Sequence, residues 1–487
     1  VNLTTTLGQL SDQNVVTGSN GEATFTLTGT RVGDATVRAI NATDAAGKTT
    51  VVRITPDNSS MAVRSVLLNG DQTTKVANGT DNFTYTVLVQ DNNGNPIQGV
   101  PVTASADNPA AVVLVTGTTN AEGKITITLA GTNKAMDNVL VSAALDGGVS
   151  VDADKSVNFI YNIDTAKVSK VTLNGDVTQK VADGLSSFTY TAQLVDSNGN
   201  PVRKANLDVK WTQDKGAAVK LSSVVSKTDA DGKATITLIS TTTAVDDVRV
   251  SAQYQETAVV PADKTVSFIY NLTSAHVSTV TLKDDVTEKI ADGVNTFTYT
   301  AQLVDGNGNP VRQANLDVKW TQDKGSDVTL SAATTKTDVN GQATVTLKST
   351  TKAVDTITVK AQYKETTEVA ANKTVSFIYN MASAKVGTVK LTGDVVQKIA
   401  DGANNYTFTA QLVDNNGNPI RQADLVVKWT QDKGNDVALS ATTSKTDADG
   451  KAVITLTSTK KAVDTITVSA QYESTPVVAA DKTVSFI

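Results

Sequence analysis

No cysteine occurs among the 487 residues, and His276 is the only histidine. Without thiols there is no disulfide framework, no thiolate metal site and no cysteine nucleophile, and one imidazole supports neither a histidine-rich metal site nor a repeated His-dependent triad. An excess of positive charge is missing too. Lys and Arg number 43 against 49 Asp and Glu, a net charge of −6, so the chain offers nothing to condense on phosphates and nucleic acid is excluded as a partner. No run approaches the ~18 apolar residues of a spanning helix, and Val1 to Leu10 lacks the basic start and apolar centre of a signal peptide. This stretch is therefore expected not to insert into a membrane. Catalytic carboxylate pairs, Gly-rich phosphate loops and basic–aromatic patches are absent as well, which points away from an enzyme and from any cofactor or resident metal.

What is present is repetition. Trp-Thr-Gln-Asp-Lys-Gly starts at Trp211, Trp320 and Trp429, one copy every 109 residues. Asn-Gly-Asn-Pro recurs with its prolines at Pro96, Pro201, Pro310 and Pro419, so four whole units are expected, at 58–163, 164–272, 273–381 and 382–487. Residues 1–57 carry Asn20-Gly21-Glu22-Ala23, similar to Asp231-Gly232-Lys233-Ala234, and read as the C-terminal part of one further unit in a longer array. The runs between units, such as Asn271 to Ala275, are too short and too apolar to be floppy tethers. End-to-end stacking into a monomeric rod is the expectation.

Within 164–272 about seven segments alternate apolar and polar residues, near 168–173, 188–195, 207–212, 219–222, 234–238, 248–254 and 265–270. Period two, with Gly, Asn, Asp and Pro between the runs, predicts an all-β fold of tandem antiparallel, immunoglobulin-like sandwiches. In Phe188-Thr189-Tyr190-Thr191 the aromatics share one face and the threonines the other. The last unit reverses this order, with Tyr406 before Phe408. Trp211, Trp320 and Trp429 fall on a mid-unit strand and are expected in the core. The spacing from proline puts Ala106 at that position in unit 58–163, which makes it the divergent member.

The turns from Asp91, Asp196, Asp305 and Asp414 to the following prolines hold the most calcium-like side chains. They depart from an EF-hand, however, in the place of Gly and in lacking the distal bidentate acid. Asn93-Gly94, Asn198-Gly199, Asn307-Gly308 and Asn416-Gly417 are read first as tight turns, with Gly supplying positive φ. The loops at Asp229, Asp338 and Asp447 also read as turns, because Asn120 and Asn340 replace carboxylates in some copies. His276 stands where other units have Lys167 and Lys385, and reads as a solvated surface residue.

Together the Asp-x-Asn-Gly-Asn-Pro turn, the loop Thr228-Asp-Ala-Asp-Gly-Lys-Ala leading into Thr235-Ile-Thr-Leu, and the Cys-free period resemble the bacterial Ig-like domains of the intimin and invasin adhesins, over essentially the whole chain. The resemblance implies a passenger displayed on the bacterial cell surface and anchored in the outer membrane by a region not in this chain. It also implies attachment to a host cell-surface or extracellular-matrix protein. Absence of Cys suits such a life, since a disulfide closed early would block export of an unfolded thread. A passive spacer for a binding tip elsewhere, or homotypic contact through sheet edges, are the alternative functions. Among the units, 58–163 is the expected seat of any specific contact, because its text diverges at Gly99-Val100-Pro101, Asn108-Pro109 and Met136.

Overall fold

The structure, a computed structural model, describes residues 1–487. Strands and turns make up the chain, and its helical elements are seven three-residue 3-10 turns. No helix is long and apolar enough to cross a membrane. The residues group into two compact units. The first holds Val1–Thr178, Ser187–Ile239 and Asp247–Val266, and the second Gln179–Ser186, Ser240–Asp246 and Ser267–Ile487.

The repeat at 273–381, wholly in the second unit, shows the architecture. One sheet has the order His276–Leu282, Thr296–Val304, Gln342–Ser349, Val328–Leu330. Facing it are a four-stranded sheet, Thr334–Lys336, Asp317–Gln322, Val359–Tyr363, Val369–Ala370, and a three-stranded one, Glu288–Ile290, Val375–Ile378, Val354–Ile357. Alternation decides which side chains meet between them. Phe297, Tyr299, Ala301 and Leu303 point inward from one strand and pack with Trp320, Leu347, Ile357 and Phe377. The threonines between them lie across from threonines of the next strand, Thr298 opposite Thr346 and Thr300 opposite Thr344.

The sandwich is not purely antiparallel, contrary to the expectation from alternation. Glu288–Ile290 runs parallel to Val375–Ile378, so the edge segment that starts in one sheet finishes beside the other. Four strands of repeat 164–272 also escape the seven expected segments: Gln179–Val181, Val225–Lys227, Val245–Val248 and Val260–Pro261. At two to four residues each they are too short for period two to show. The expected strand at 248–254 spans parts of two, Val245–Val248 and Val250–Tyr254, and Asp247, within the first, sits at φ 52° just ahead of the break. Thr356 and Thr465 repeat this left-handed kink, which hands the chain from one sheet to the other.

In the divergent repeat, strand pairing corrects which residue takes the place of the missing Trp. Trp320 pairs with Ala361, and the matching pair is Ala104 with Ala143, whereas Ala106 lies against Val141. The loop after Pro96 is two residues shorter than its counterparts, and this moves the register. Met136, Ile125 and Ile127 belong to the core there, with Ala104, Val113 and Val115 packed against it.

Residues 1–57 form a three-stranded sheet, Asn2–Thr5, Gly33–Asn41 and Asp44–Ile54, and a ribbon of Gln9–Leu10 with Leu27–Thr28, around Leu3, Leu10 and Val37. Here the two long strands pair along nearly their whole length without changing sheets.

Candidate functional site at the joints between repeats

The Asp that opens each Asn-Gly-Asn-Pro turn is buried, with Asp196, Asp305 and Asp414 at 0% exposure and Asp91 at 1%. At Asp305, Oδ1 accepts the N–H groups of Asn307 and Asn309, both at 2.9 Å, while Oδ2 accepts Asn309 Nδ2 at 3.0 Å and the N–H of Asn271 at 2.9 Å. Asn271 belongs to the linker. Its own side chain accepts from Thr273 N–H and caps the 3-10 turn Leu272–Ser274. One carboxylate thus ties the linker to the turn. The same bond runs from Asp57 to Asp91, from Asn162 to Asp196 and from Asn380 to Asp414. Burial pushes the Asp305 carboxyl up, but the Asn309 amide and the N–H groups of Asn271, Asn309 and Asn307 outweigh it and hold the group below the usual carboxylate range. For Asp91 the same balance ends at about 2.

A carboxylate ringed by N–H donors is the reverse of a cation site, where oxygen ligands converge on an empty centre. No group of three or more His, Asp or Glu is placed to hold a metal ion. The second loop is an Asx turn in every copy. Asp229 Oδ1 accepts Asp231 and Lys233 N–H, and Asn120 Oδ1 accepts Glu122 and Lys124 N–H, so either side chain serves. Its glycine is sterically fixed, since a Cβ on Gly232 would stand 1.8 Å from the Val202 carbonyl oxygen.

The Asn before proline spans the joint. Asn309 Nδ2 donates to Thr242 O at 2.8 Å, and Asn309 Oδ1 accepts Ala244 N–H at 2.7 Å, both in the preceding repeat. Asn200 does this to Asn133 and Ala135, Asn418 to Thr351 and Ala353, and Asn95 to Thr30 and Val32. The preceding Asn reaches back as well. Asn307 Nδ2 donates to Ala182 O at 3.3 Å, Asn198 to Ala77 O at 3.1 Å and Asn416 to Ala291 O at 3.2 Å. Gly94, Gly199, Gly308 and Gly417 take φ of 83–85° with no atom near the missing Cβ.

Three joints add a further set of contacts. Tyr270 Oη donates to Arg312 O at 3.3 Å, and Arg312 Nη1 pairs with Asp246 at 2.7 Å. Tyr161, Arg203 and Asp137 repeat this arrangement, as do Tyr379, Arg421 and Asp355. An open cleft of about 610 Å³ lies beside Tyr270, Pro310 and Arg312, and one of about 330 Å³ beside Tyr379, Pro419 and Arg421. On their walls, Tyr270, Arg312 and Asp246 of the first and Tyr379, Arg421 and Asp355 of the second are engaged in the cross-joint contacts just described.

Sequence reasoning singled out the Asn-Gly pairs but missed the pre-proline Asn, the Tyr and the Arg–Asp pair. Their signal was present, since Tyr-Asn opens the last three linkers and Pro-x-Arg closes the last three turns in register with the repeat. His276 is half-buried at the start of its strand, with Nδ1 3.2 Å from Ser274 O. Trp211, Trp320 and Trp429 are 1%, 2% and 3% exposed. Each donates Nε1–H at 2.8 Å to an edge-strand hydroxyl, of Ser226, Thr335 and Ser444 respectively.

The bacterial Ig-like domain (group 1) family matches residues 65–160, 170–269, 279–378 and 388–487. Among curated proteins, the inverse autotransporter adhesin YeeJ of Escherichia coli (strain K12) is 28% identical over 485 residues, 95% of this chain and 19% of that protein. Intimin of Escherichia coli O127:H6 is 34% identical over 254 residues, 50% of this chain and 26% of that protein. Of solved structures, the Escherichia coli adhesin FdeC is 20% identical, with a TM-score of 0.35, covering 67% of this chain and 98% of that one. The chain spans between a fifth and about a quarter of the length of these curated relatives.

Proposed function

From the premise that the chain belongs to the bacterial Ig-like domain (group 1) family, we propose that it is a stretch of the extracellular passenger of an intimin- and invasin-type adhesin. In this reading it attaches a bacterium to a host cell-surface or matrix protein, performs no catalysis, and is held in the outer membrane by a region outside these residues. Its domains are 58–163, 164–272, 273–381 and 382–487, with 1–57 the C-terminal part of another. The observation that carries the reading is the joint. The same buried Asp and cross-joint Asn recur at all four linkers, as expected of an array that transmits force between a surface and a partner.

The specific contact falls to 58–163. On the outer face of its sheet Leu67 lies opposite Thr86 and Leu114 opposite Thr128, and both leucines are about half exposed. Other repeats carry Thr172, Thr281 or Lys390 at the first place and Ser222, Ser331 or Ser440 at the second. The test is binding of the purified chain to cultured epithelial cells and to immobilised matrix proteins, beside a Leu67→Asp/Leu114→Asp variant. Saturable binding that the variant loses supports the reading. Binding by neither sample leaves a spacer, and equal binding by both moves the contact elsewhere.

A further inference from the structure

Asn-Gly is the dipeptide most prone to intramolecular attack, because glycine has no Cβ to hinder the ring. The deprotonated glycine nitrogen adds to the Asn Cγ, ammonia leaves, and a succinimide forms. Water then opens the ring to Asp or isoaspartate, so the net change is water in and ammonia out. Four such dipeptides lie in the joints, at Asn93-Gly94, Asn198-Gly199, Asn307-Gly308 and Asn416-Gly417, with open space at each glycine's missing Cβ, and in the last three the Asn side chain bonds to the preceding repeat.

Two hydrogen bonds oppose the reaction. Gly308 N–H donates to Asp305 O at 3.0 Å within the turn, which holds the proton the nitrogen must lose. Asn307 Nδ2 donates to Ala182 O of the preceding repeat, which restrains the side-chain amide that would have to close on the glycine nitrogen. The first bond belongs to the repeat itself, and the second exists only while the joint is closed. The geometry points to Asn198, Asn307 and Asn416 as modification sites that deamidate when their own joint opens. Deamidation is also a one-way event. The product carboxylate has no N–H to offer Ala182 O and brings a negative charge up to that carbonyl oxygen, so the bond cannot re-form. Each joint therefore accumulates a covalent record of how often it has opened.

The test weakens one joint without altering a residue of the turn. Tyr270→Phe/Asp246→Ala removes the hydroxyl bond to Arg312 O and the partner of the Arg312 guanidinium, all at the joint that holds Asn307. The intact chain and the variant are incubated at pH 8 and 37 °C, and deamidation is followed at each site by peptide mass spectrometry. A urea-unfolded sample gives the unprotected rate. The expected result is that wild-type Asn198, Asn307 and Asn416 all react at least tenfold more slowly than in urea. In the variant Asn307 should accelerate several-fold while Asn198 and Asn416 keep their wild-type rates. Equal rates in native and unfolded chain would overturn the inference, and so would a variant in which Asn307 speeds up no more than Asn416. Circular dichroism of the variant separates joint opening from loss of the fold, and a second variant, Arg312→Ala, repeats the test if the first unfolds.

Discussion

Arg312 and Asp246 stand 66 residues apart in sequence, with Nη1 and Oδ2 2.7 Å apart, each in a different repeat of the second compact unit. Both side chains are more than half exposed, so the pair is worth only ~0–1 kcal/mol and is weakened by salt. Its value lies in direction rather than strength, because it holds the segment 242–246 at a second point beside the bonds made by Asn309. Arg312→Asp is expected to leave the melting temperature of both repeats nearly unchanged. It should speed amide exchange at Ala244, whose N–H is the cross-joint donor to Asn309. Reversing both charges, Arg312→Asp with Asp246→Arg, should restore slow exchange. Exchange that stays fast in the double variant would contradict a paired role.

Asn309→Ala should do more damage. The change strips Thr242 O and Ala244 N–H of their partner and takes one donor from the buried Asp305 carboxylate. Leaving buried polar groups unpaired costs ~1–3 kcal/mol. Urea unfolding of repeat 273–381 within the chain reads this out. A loss below ~0.5 kcal/mol would mean that water replaces the amide without penalty.

The pH dependence follows from the same carboxylates. A carboxyl held below its usual range contributes stability that is fully present above its unfolded-state value, ~3.9. That stability is lost as pH falls through the folded value, which is about 2 for Asp91 and is also lowered for Asp196, Asp305 and Asp414. Thermal stability should therefore be flat from pH 7 to pH 5 and fall below pH 4. A decline already complete by pH 5 would show that some other group governs the joints.

The sandwich was legible because inward and outward residues alternate over long strands such as Thr296–Val304, and because three copies of Trp-Thr-Gln-Asp-Lys-Gly set the period. The joint was not. Asn309 meets Thr242 across 67 residues and Asn307 meets Ala182 across 125, and local patterning carries no information at that range. A turn with Asp, two Asn and Gly looks alike whether its oxygens await a cation or are filled by N–H groups. Only the folded chain shows the donors. The error at Ala106 has a similar cause, since counting from Pro96 assumes a constant loop length, and Ala104 takes the Trp position once two residues are missing.

Trp320→Ala should cost ~3–5 kcal/mol, since the side chain is 2% exposed and its Nε1–H also anchors Thr335 on the edge strand. Trp320→Phe keeps much of the volume but drops that bond, and should fall between the two. If differential scanning calorimetry finds no shift in the transition of repeat 273–381 for Trp320→Ala, the core assignment fails.

The reversed aromatic order in the last repeat makes an opposite pair of predictions. Tyr299 is fully buried and its hydroxyl has no hydrogen-bond partner, as is also true of Tyr85 and Tyr190. Burial pushes the phenol of Tyr85 up to about 12, with the Asp154 charge adding to the effect, and raises Tyr190 and Tyr299 as well. In the last repeat Tyr406 stands one inward position earlier, where its hydroxyl donates to Ser485 O at 2.9 Å, and Phe408 fills the place of Tyr299. An unpartnered buried hydroxyl loses its water without compensation, whereas a paired one contributes ~1 kcal/mol. Tyr299→Phe should therefore stabilise its repeat by about 1 kcal/mol and Tyr406→Phe destabilise its own by a similar amount. Urea midpoints of the two single variants decide the matter. A loss of stability in Tyr299→Phe would mean that its hydroxyl holds an internal water that bridges it to the surrounding backbone.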